Sequence, residues 1–168
     1  MFEKYPKSTM RIDFQDCDPF GHLSNGKYID YIHNARTDHL RDYYNLDIYE
    51  HTEKTQNTWM VSKNKIIYLI QVLFNKKVLI ETQLIYADQR RIIFQGIMFS
   101  ENKENIHAIL WSEFIYVNIN SARPVKHEDS IRDLLGNIIL NKYKNKKIDD
   151  YDFDKTIKEI KIEFKKNK

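Results

Sequence analysis

Two carboxylates, a cysteine and a histidine fall within the ten residues Asp16-Cys17-Asp18-Pro19-Phe20-Gly21-His22-Leu23-Ser24-Asn25, just ahead of an amphipathic segment that runs to Tyr44. Pro19 and Gly21 are turn residues, and Ser24 or Asn25 is suited to cap a helix. The pattern therefore predicts a carboxylate on a loop beside a helix N-terminus, where backbone N–H groups lack partners and the helix dipole is positive. Attack on a carbonyl, with stabilisation of the oxyanion that follows, needs these two features side by side. Asp18 is the candidate acid. The alternative for its side chain is an Asx turn that only shapes the loop. Asp16 reads as structural. Cys17, between two acids, should have a raised pKa and be a poor nucleophile.

Other chemistries find little support. No His, Cys and carboxylate cluster has metal-ligand spacing, and there is no Gly-rich phosphate loop or G-x-S-x-G. A lone cysteine and first residues without the apolar centre of a signal peptide point to a cytoplasmic protein. No apolar run is long enough for a membrane span. The net charge of +3 is mild, and the basic excess towards the C-terminus reads as a solvated surface, so no nucleic-acid partner is expected.

The elements that must position the loop follow from periodicity. Residues 8–15 alternate Met10, Ile12 and Phe14 with polar residues, which predicts a half-buried strand. Tyr28, Tyr31, Ile32, Ala35, His39, Leu40 and Tyr43 recur at three- and four-residue steps, giving a helix over 25–44 with one apolar face. Residues 45–56 read as polar and irregular. Four strands are expected at 58–72, bending near 63–65, and at 77–87, 91–99 and 106–118. Their apolar residues on both faces indicate strands covered on two sides, and the short turns between them favour antiparallel pairing. Helices are expected at 129–143 and 151–164. One helix on a mostly antiparallel sheet is an α+β arrangement.

The run from Arg11 to His22, through Asp16, Asp18 and Gly21, resembles the opening of the hot-dog fold acyl-CoA thioesterases of the 4-hydroxybenzoyl-CoA thioesterase group. His22-Leu23-Ser24-Asn25-Gly26-Lys27-Tyr28, with Ala35-Arg36, resembles the long-chain acyl-CoA branch and its D-x-D-x-x-G-H-x-x-N-x-x-Y pattern. Weaker matches follow at Val61-Ser62, Ile80-Glu81-Thr82, Arg90-Arg91 and 121–125. The resemblance covers about 8–127, so 1–127 is read as the hot-dog unit and 128–168 as a helical extension of it.

This resemblance implies a long central helix wrapped by a curved antiparallel sheet, in a homodimer or homotetramer with active sites at the dimer interface. It implies hydrolysis of a fatty (medium or long) or aryl acyl-CoA to the free acid and CoA. Asp18 would be nucleophile or general base, and the helix N–H groups near Asn25 the oxyanion hole. Gly21, His22, Ser24 and Tyr28 would line the substrate, and Arg90 and Arg91 would contact the CoA nucleotide. No metal or cofactor is implied beyond the coenzyme A of the substrate. Alternatives are an acyl carrier protein thioesterase, since both ligands share the phosphopantetheine arm, and a non-catalytic acyl-CoA-binding module. A hot-dog hydratase fits less well, because its signature places Asp and His five apart whereas Asp18 and His22 are four apart.

Overall fold

The computed structural model describes residues 2–144, 147–148 and 151–166. Its centre is a long helix, α1 (Asn25–Tyr44), lying across an antiparallel sheet. The strands are β1 (Lys7–Arg11), β2 (Asn57–Tyr68), β3 (Lys77–Ala87), β4 (Arg91–Ser100), β5 (Ile106–Asn118) and the two-residue β6 (Arg123–Pro124). The order across the sheet is β1-β3-β4-β5-β2, with β6 pairing the end of β5. The hot-dog arrangement expected from the sequence is therefore present.

Helix α1 buries most of the stripe read from its periodicity: Tyr28, Tyr31, Ile32, Ala35 and His39 point into the core, whereas Leu40 is half-buried and Tyr43, in the last turn, is exposed. Gly96 of β4 makes the close approach possible, because a Cβ there would collide with the Ile32 side chain. Arg36 lies on the same helix and is only 8% exposed. It stacks over the rings of Phe114 (4.4 Å) and Phe94 (5.5 Å), a cation–π arrangement that offsets part of its desolvation.

The second face of the sheet is covered by the C-terminal segment. Helix α3 (Asp129–Ile138) packs at β3, and α4 (Phe153–Lys166) crosses the outer face. Phe153 sits edge-on to Trp111 at 5.2 Å, and Phe164 stacks on Phe99 at 5.8 Å. This explains why β3–β5 are apolar on both faces.

Several sequence expectations need correction. The first strand stops at Arg11, because Asp13 opens a short 3-10 turn (Phe14–Asp16) that turns the chain out of the sheet. Phe14 is consequently exposed rather than on a buried face. Residues 45–56 are not irregular but hold the helix α2 (Ile48–Thr55), capped by Asp47, whose carboxylate accepts from the N–H groups of Tyr49 and Glu50. The irregularity of β2 is a bulge between Val61 and Lys63, and the strand ends at Tyr68. The alternation along 77–87 puts Val78, Ile80, Thr82, Leu84 and Tyr86 on one face, but a bulge between Leu84 and Tyr86 pairs Tyr86 with Ile93, so Tyr86 leaves that face and meets Tyr151 edge-on at 5.5 Å. Helix α3 ends before Ile139, and a separate 3-10 turn follows at Asn141–Tyr143. No helix among the described residues is long and apolar enough to cross a membrane.

Candidate active site

The loop from Asp16 to Ser24 is a small hairpin of its own. Cys17 pairs with Leu23, and the Asp18 N–H donates to the His22 carbonyl at 2.8 Å. Gly21 sits at the tip with φ +77°, a left-handed conformation that other residues rarely adopt. The segment after β2 clamps the hairpin from one side: Leu23 N–H donates to the Val72 carbonyl, and Phe74 N–H to the Gly21 carbonyl. Tyr28 of α1 completes the clamp by accepting from the Val72 N–H at 3.0 Å. Tyr28 is 2% exposed, so its hydroxyl fastens the loop and its ring belongs to the core.

Asp16 is held on the opposite side. Its carboxylate accepts from the Tyr31 hydroxyl at 3.0 Å and meets Lys27 at 3.2 Å, and its carbonyl accepts from the Ser24 N–H. Its carboxylate and carbonyl thus fix the hairpin to the first turns of α1, while its N–H closes the 3-10 turn on the Asp13 carbonyl.

Asp18 divides its two carboxylate oxygens. Oδ1 accepts from the Phe20 N–H at 2.9 Å and the His22 N–H at 3.0 Å, which is the Asx-turn geometry. Oδ2 makes no hydrogen bond to any described residue, and the side chain is only partly buried. The structural and chemical readings of this residue therefore coexist: one oxygen builds the loop and the other is available.

The hairpin that holds this carboxylate leads directly into the N-terminus of α1. Ser24 is the N-cap with extended backbone, and its hydroxyl makes no cap hydrogen bond. The N–H groups of Asn25 and Gly26, which have no intrahelical partner by helix geometry, thus remain open to a ligand. Space is open around Gly26, and Asn25 is exposed, its carbonyl accepting from the Tyr68 hydroxyl at 2.9 Å. The His22 imidazole makes no hydrogen bond to Asp18 or to any other described residue, so only its backbone is tied to the acid. Burial, with Asp18 and Asp16 adding to it, pushes the Cys17 thiol up, which disfavours a thiolate.

Arg90 and Arg91 are not part of this cluster. They stand at the turn after β3, while the Asp18 loop is joined to the segment before it. The 11 residues of β3 separate the two places, a span of about 35 Å at ~3.3 Å per residue. Arg91 forks onto the Asp88 carboxylate (2.8 and 2.9 Å), whereas Arg90 is exposed. Asp18, Gly21, His22, Ser24, Asn25 and Tyr28 are together in one chain, and the two arginines are elsewhere in it.

The features that sequence reasoning missed are apolar. Phe20 is 83% exposed beside Asp18, and Tyr68, Ile70, Leu73 and Phe74 are exposed along the clamp. Part of their signal lay in residues 68–72, which the alternation assigns to the end of a long strand although β2 stops at Tyr68.

Against this geometry, a family model, the thioesterase-like superfamily, matches residues 12–135. The chain belongs to the thioesterase-like superfamily. That membership makes it a thioester hydrolase. A solved structure of the DHNA-CoA thioesterase from Staphylococcus aureus superposes with a TM-score of 0.74 at 15% identity, covering 80% of this chain and 90% of that one. YbaW, a probable thioesterase from Escherichia coli, gives 0.68 at 16% identity, with 80% and 98% covered. Slr0204, a 1,4-dihydroxy-2-naphthoyl-CoA thioesterase from Synechocystis, gives 0.73 at 9% identity, with 80% and 97% covered. At these identities the likeness is one of fold. No curated protein matches the sequence.

Proposed function

We propose that this thioester hydrolase acts on acyl-CoA in the cytoplasm, releasing CoA and a medium- or long-chain fatty acid, with an aryl acid as the other substrate class. The observation that carries the reading is the unpartnered Oδ2 of Asp18 on the hairpin that leads into the uncapped start of α1. Oδ2 takes a proton from water as the water oxygen adds to the thioester carbon, or adds to that carbon itself. In either route the carbonyl oxygen gains charge where the Asn25 and Gly26 N–H groups can donate to it. A donor so placed contributes about 2.7–4 kcal/mol to the transition state. Collapse of the adduct breaks the C–S bond: in the first route the proton held by Asp18 passes to the departing CoA sulfur, and in the second the mixed anhydride left on Asp18 is opened by water, which frees the acid and supplies that proton.

The exposed apolar rim of Phe20, Tyr68, Ile70 and Leu73 fits an acyl chain, and exposed apolar surface of this kind also marks a protein contact. Strand β2 ends the sheet order, so one edge of it has no neighbour in the chain. We read this edge as the place where two copies pair antiparallel into a dimer. Pairing of that kind exchanges the two ends of the sheet. The Arg90-Arg91 end of one copy then stands level with the Asp18 end of the other, which accounts for a nucleotide contact that one chain cannot make alone. A solved structure from Staphylococcus aureus, similar in fold (TM-score 0.74), was obtained in complex with CoA, which favours CoA over a carrier-protein thioester.

The test is thiol release from a panel of acyl-CoAs, from acetyl to palmitoyl plus benzoyl and 4-hydroxybenzoyl. Turnover that rises with fatty chain length supports the reading. Release from aryl substrates alone would move the assignment to the aryl class, and silence across the panel would refute it.

A further inference from the structure

On the outer face of the sheet, away from Asp18, a cavity of about 320 Å³ opens between the strands and the C-terminal segment. Its walls are Lys63, Lys65, Arg91, Ile93, Trp111 and Glu113, closed on one side by Ile148 and Tyr151. The register explains why these residues meet. Lys63 is opposite Glu113, which is opposite Ile93, and Lys65 is opposite Trp111, so they form adjacent rows on one face. Arg91 is two residues before Ile93 on the same strand and faces the same side.

The cavity is built rather than incidental. Trp111 is nearly buried, its indole N–H donates to Gln95 at 2.7 Å, and its ring is held edge-on by Phe153 and Tyr151. Arg91 is oriented by its fork onto Asp88. Lys63 and Lys65, by contrast, make no ion pair among the described residues, although both occupy a strand whose neighbour carries Glu113. A fixed aromatic wall, two unpaired ammonium groups, a guanidinium and a single carboxylate are complementary to a ligand with a planar ring, sugar or amino donors, and phosphate. The volume is within the usual small-ligand range of roughly 300–1,000 Å³.

We propose that this outer-face cavity binds a nucleoside phosphate. The base lies against Trp111 and Tyr151. Glu113 accepts from a base amino group or a ribose hydroxyl, and Lys63, Lys65 and Arg91 hold the phosphates. The proposal rests on the hydrolase reading only where the nucleoside phosphate is that of CoA; a free nucleotide needs no such support. Pairing of β2 edges through backbone groups would leave both lysines on the outer face.

The experiment is calorimetric titration of the full chain with ADP, CoA, adenosine and orthophosphate, on the wild type and on the double variant Lys63→Gln/Lys65→Gln, with thioester hydrolysis measured in parallel. ADP is expected to bind, at least tenfold more tightly than adenosine or orthophosphate, and at least tenfold more weakly to the double variant, whose kcat and melting temperature stay at the wild-type values. CoA that displaces ADP identifies the CoA nucleotide as the source; CoA that binds without displacing ADP identifies a free nucleotide. No ADP binding, or equal ADP binding by the variant, overturns the proposal. Orthophosphate binding as tightly as ADP also overturns it, leaving a bare anion site. ADP binding by a protein without thioesterase turnover would sink the acyl-CoA reading and leave this one standing.

Discussion

Asp18 and His22 hold each other through the backbone on one side and a carboxylate on the other: the Asp18 N–H donates to the His22 carbonyl at 2.8 Å, and the His22 N–H donates to Asp18 Oδ1 at 3.0 Å. This reciprocal pair separates the structural from the chemical task of Asp18. In Asp18→Asn the amide oxygen keeps both acceptor bonds while the free oxygen becomes an NH₂. The melting temperature should change by no more than a few degrees, and turnover should fall by roughly 10²–10⁴, the range for loss of a general base. Asp18→Ala removes both acceptor bonds as well and should cost a further ~1–3 kcal/mol of stability, read by urea unfolding. Equal melting temperatures for the two variants would contradict the division of labour between the oxygens.

Two glycines are required for different reasons. Gly21 has open space around it and is needed for its positive φ, so Gly21→Ala should destabilise by about 1 kcal/mol through backbone strain. Gly96 has an ordinary backbone, but its missing Cβ admits Ile32. Gly96→Ala should push α1 off the sheet and cost about 1–3 kcal/mol or more. In an Ile32→Ala background, Gly96→Ala should cost less in urea unfolding than it does in the wild type if contact between these residues is the cause.

Half-buried His33 and buried His39 should lower the stability of the fold in acid. Burial, helped by nearby Arg36, holds His33 down at about 4, with Asp30 opposing; burial alone does the same for His39, against Asp38 and Asp42. Both are neutral in the folded chain, bonded to Ser112 and to Thr82 and Ser8. The unfolded chain takes up protons first, near the ordinary histidine pKa of ~6.5. Their contribution to stability is therefore complete above about 6.5 and is lost as pH falls towards 4. Melting temperatures measured across that window should decline, and His39→Gln should flatten the decline. An unchanged slope in that variant would assign the acid sensitivity to other groups.

The separation of Arg90 and Arg91 from Asp18 within one chain makes a test of the dimer possible. Arg90→Gln/Arg91→Gln should raise KM for acyl-CoA several-fold with little effect on kcat. Unfolding and refolding it together with Asp18→Asn should give mixed dimers in which one site has an intact Asp18 from one chain and intact arginines from the other. Activity at low substrate should exceed that of either variant alone. Absence of any recovery would show that the arginines of one chain do not serve the Asp18 of the other, against the proposed pairing.

The sequence was informative where physical signals are local. Helix α1 and strands β3–β5 lie at or within a residue of where periodicity and turn residues put them, because their apolar faces repeat cleanly. Helix α2 was hidden by its polarity, although Asp47 followed by Glu50 is a capping signal that could have revealed it. The displaced Tyr86 depends on a bulge, which alternation alone does not announce. Apolar residues on both faces of β4 and β5 correctly required two covers, but only the folded chain shows that α4 supplies the outer one. The candidate site divides in the same way. The short-range cluster around Asp18 was readable from its spacing, while the placement of Arg90 and Arg91 at the far end of β3 is a consequence of sheet topology.

Parallel rates of thiol release by wild type and Asp18→Asn on fatty acyl-CoA substrates, with melting curves of both proteins, address the chemistry most directly. The expected result is clear turnover by the wild type, lost by at least a hundredfold in a variant that melts at nearly the same temperature. Full activity in a folded Asp18→Asn protein would show that the free oxygen beside the helix start is not where the thioester is attacked.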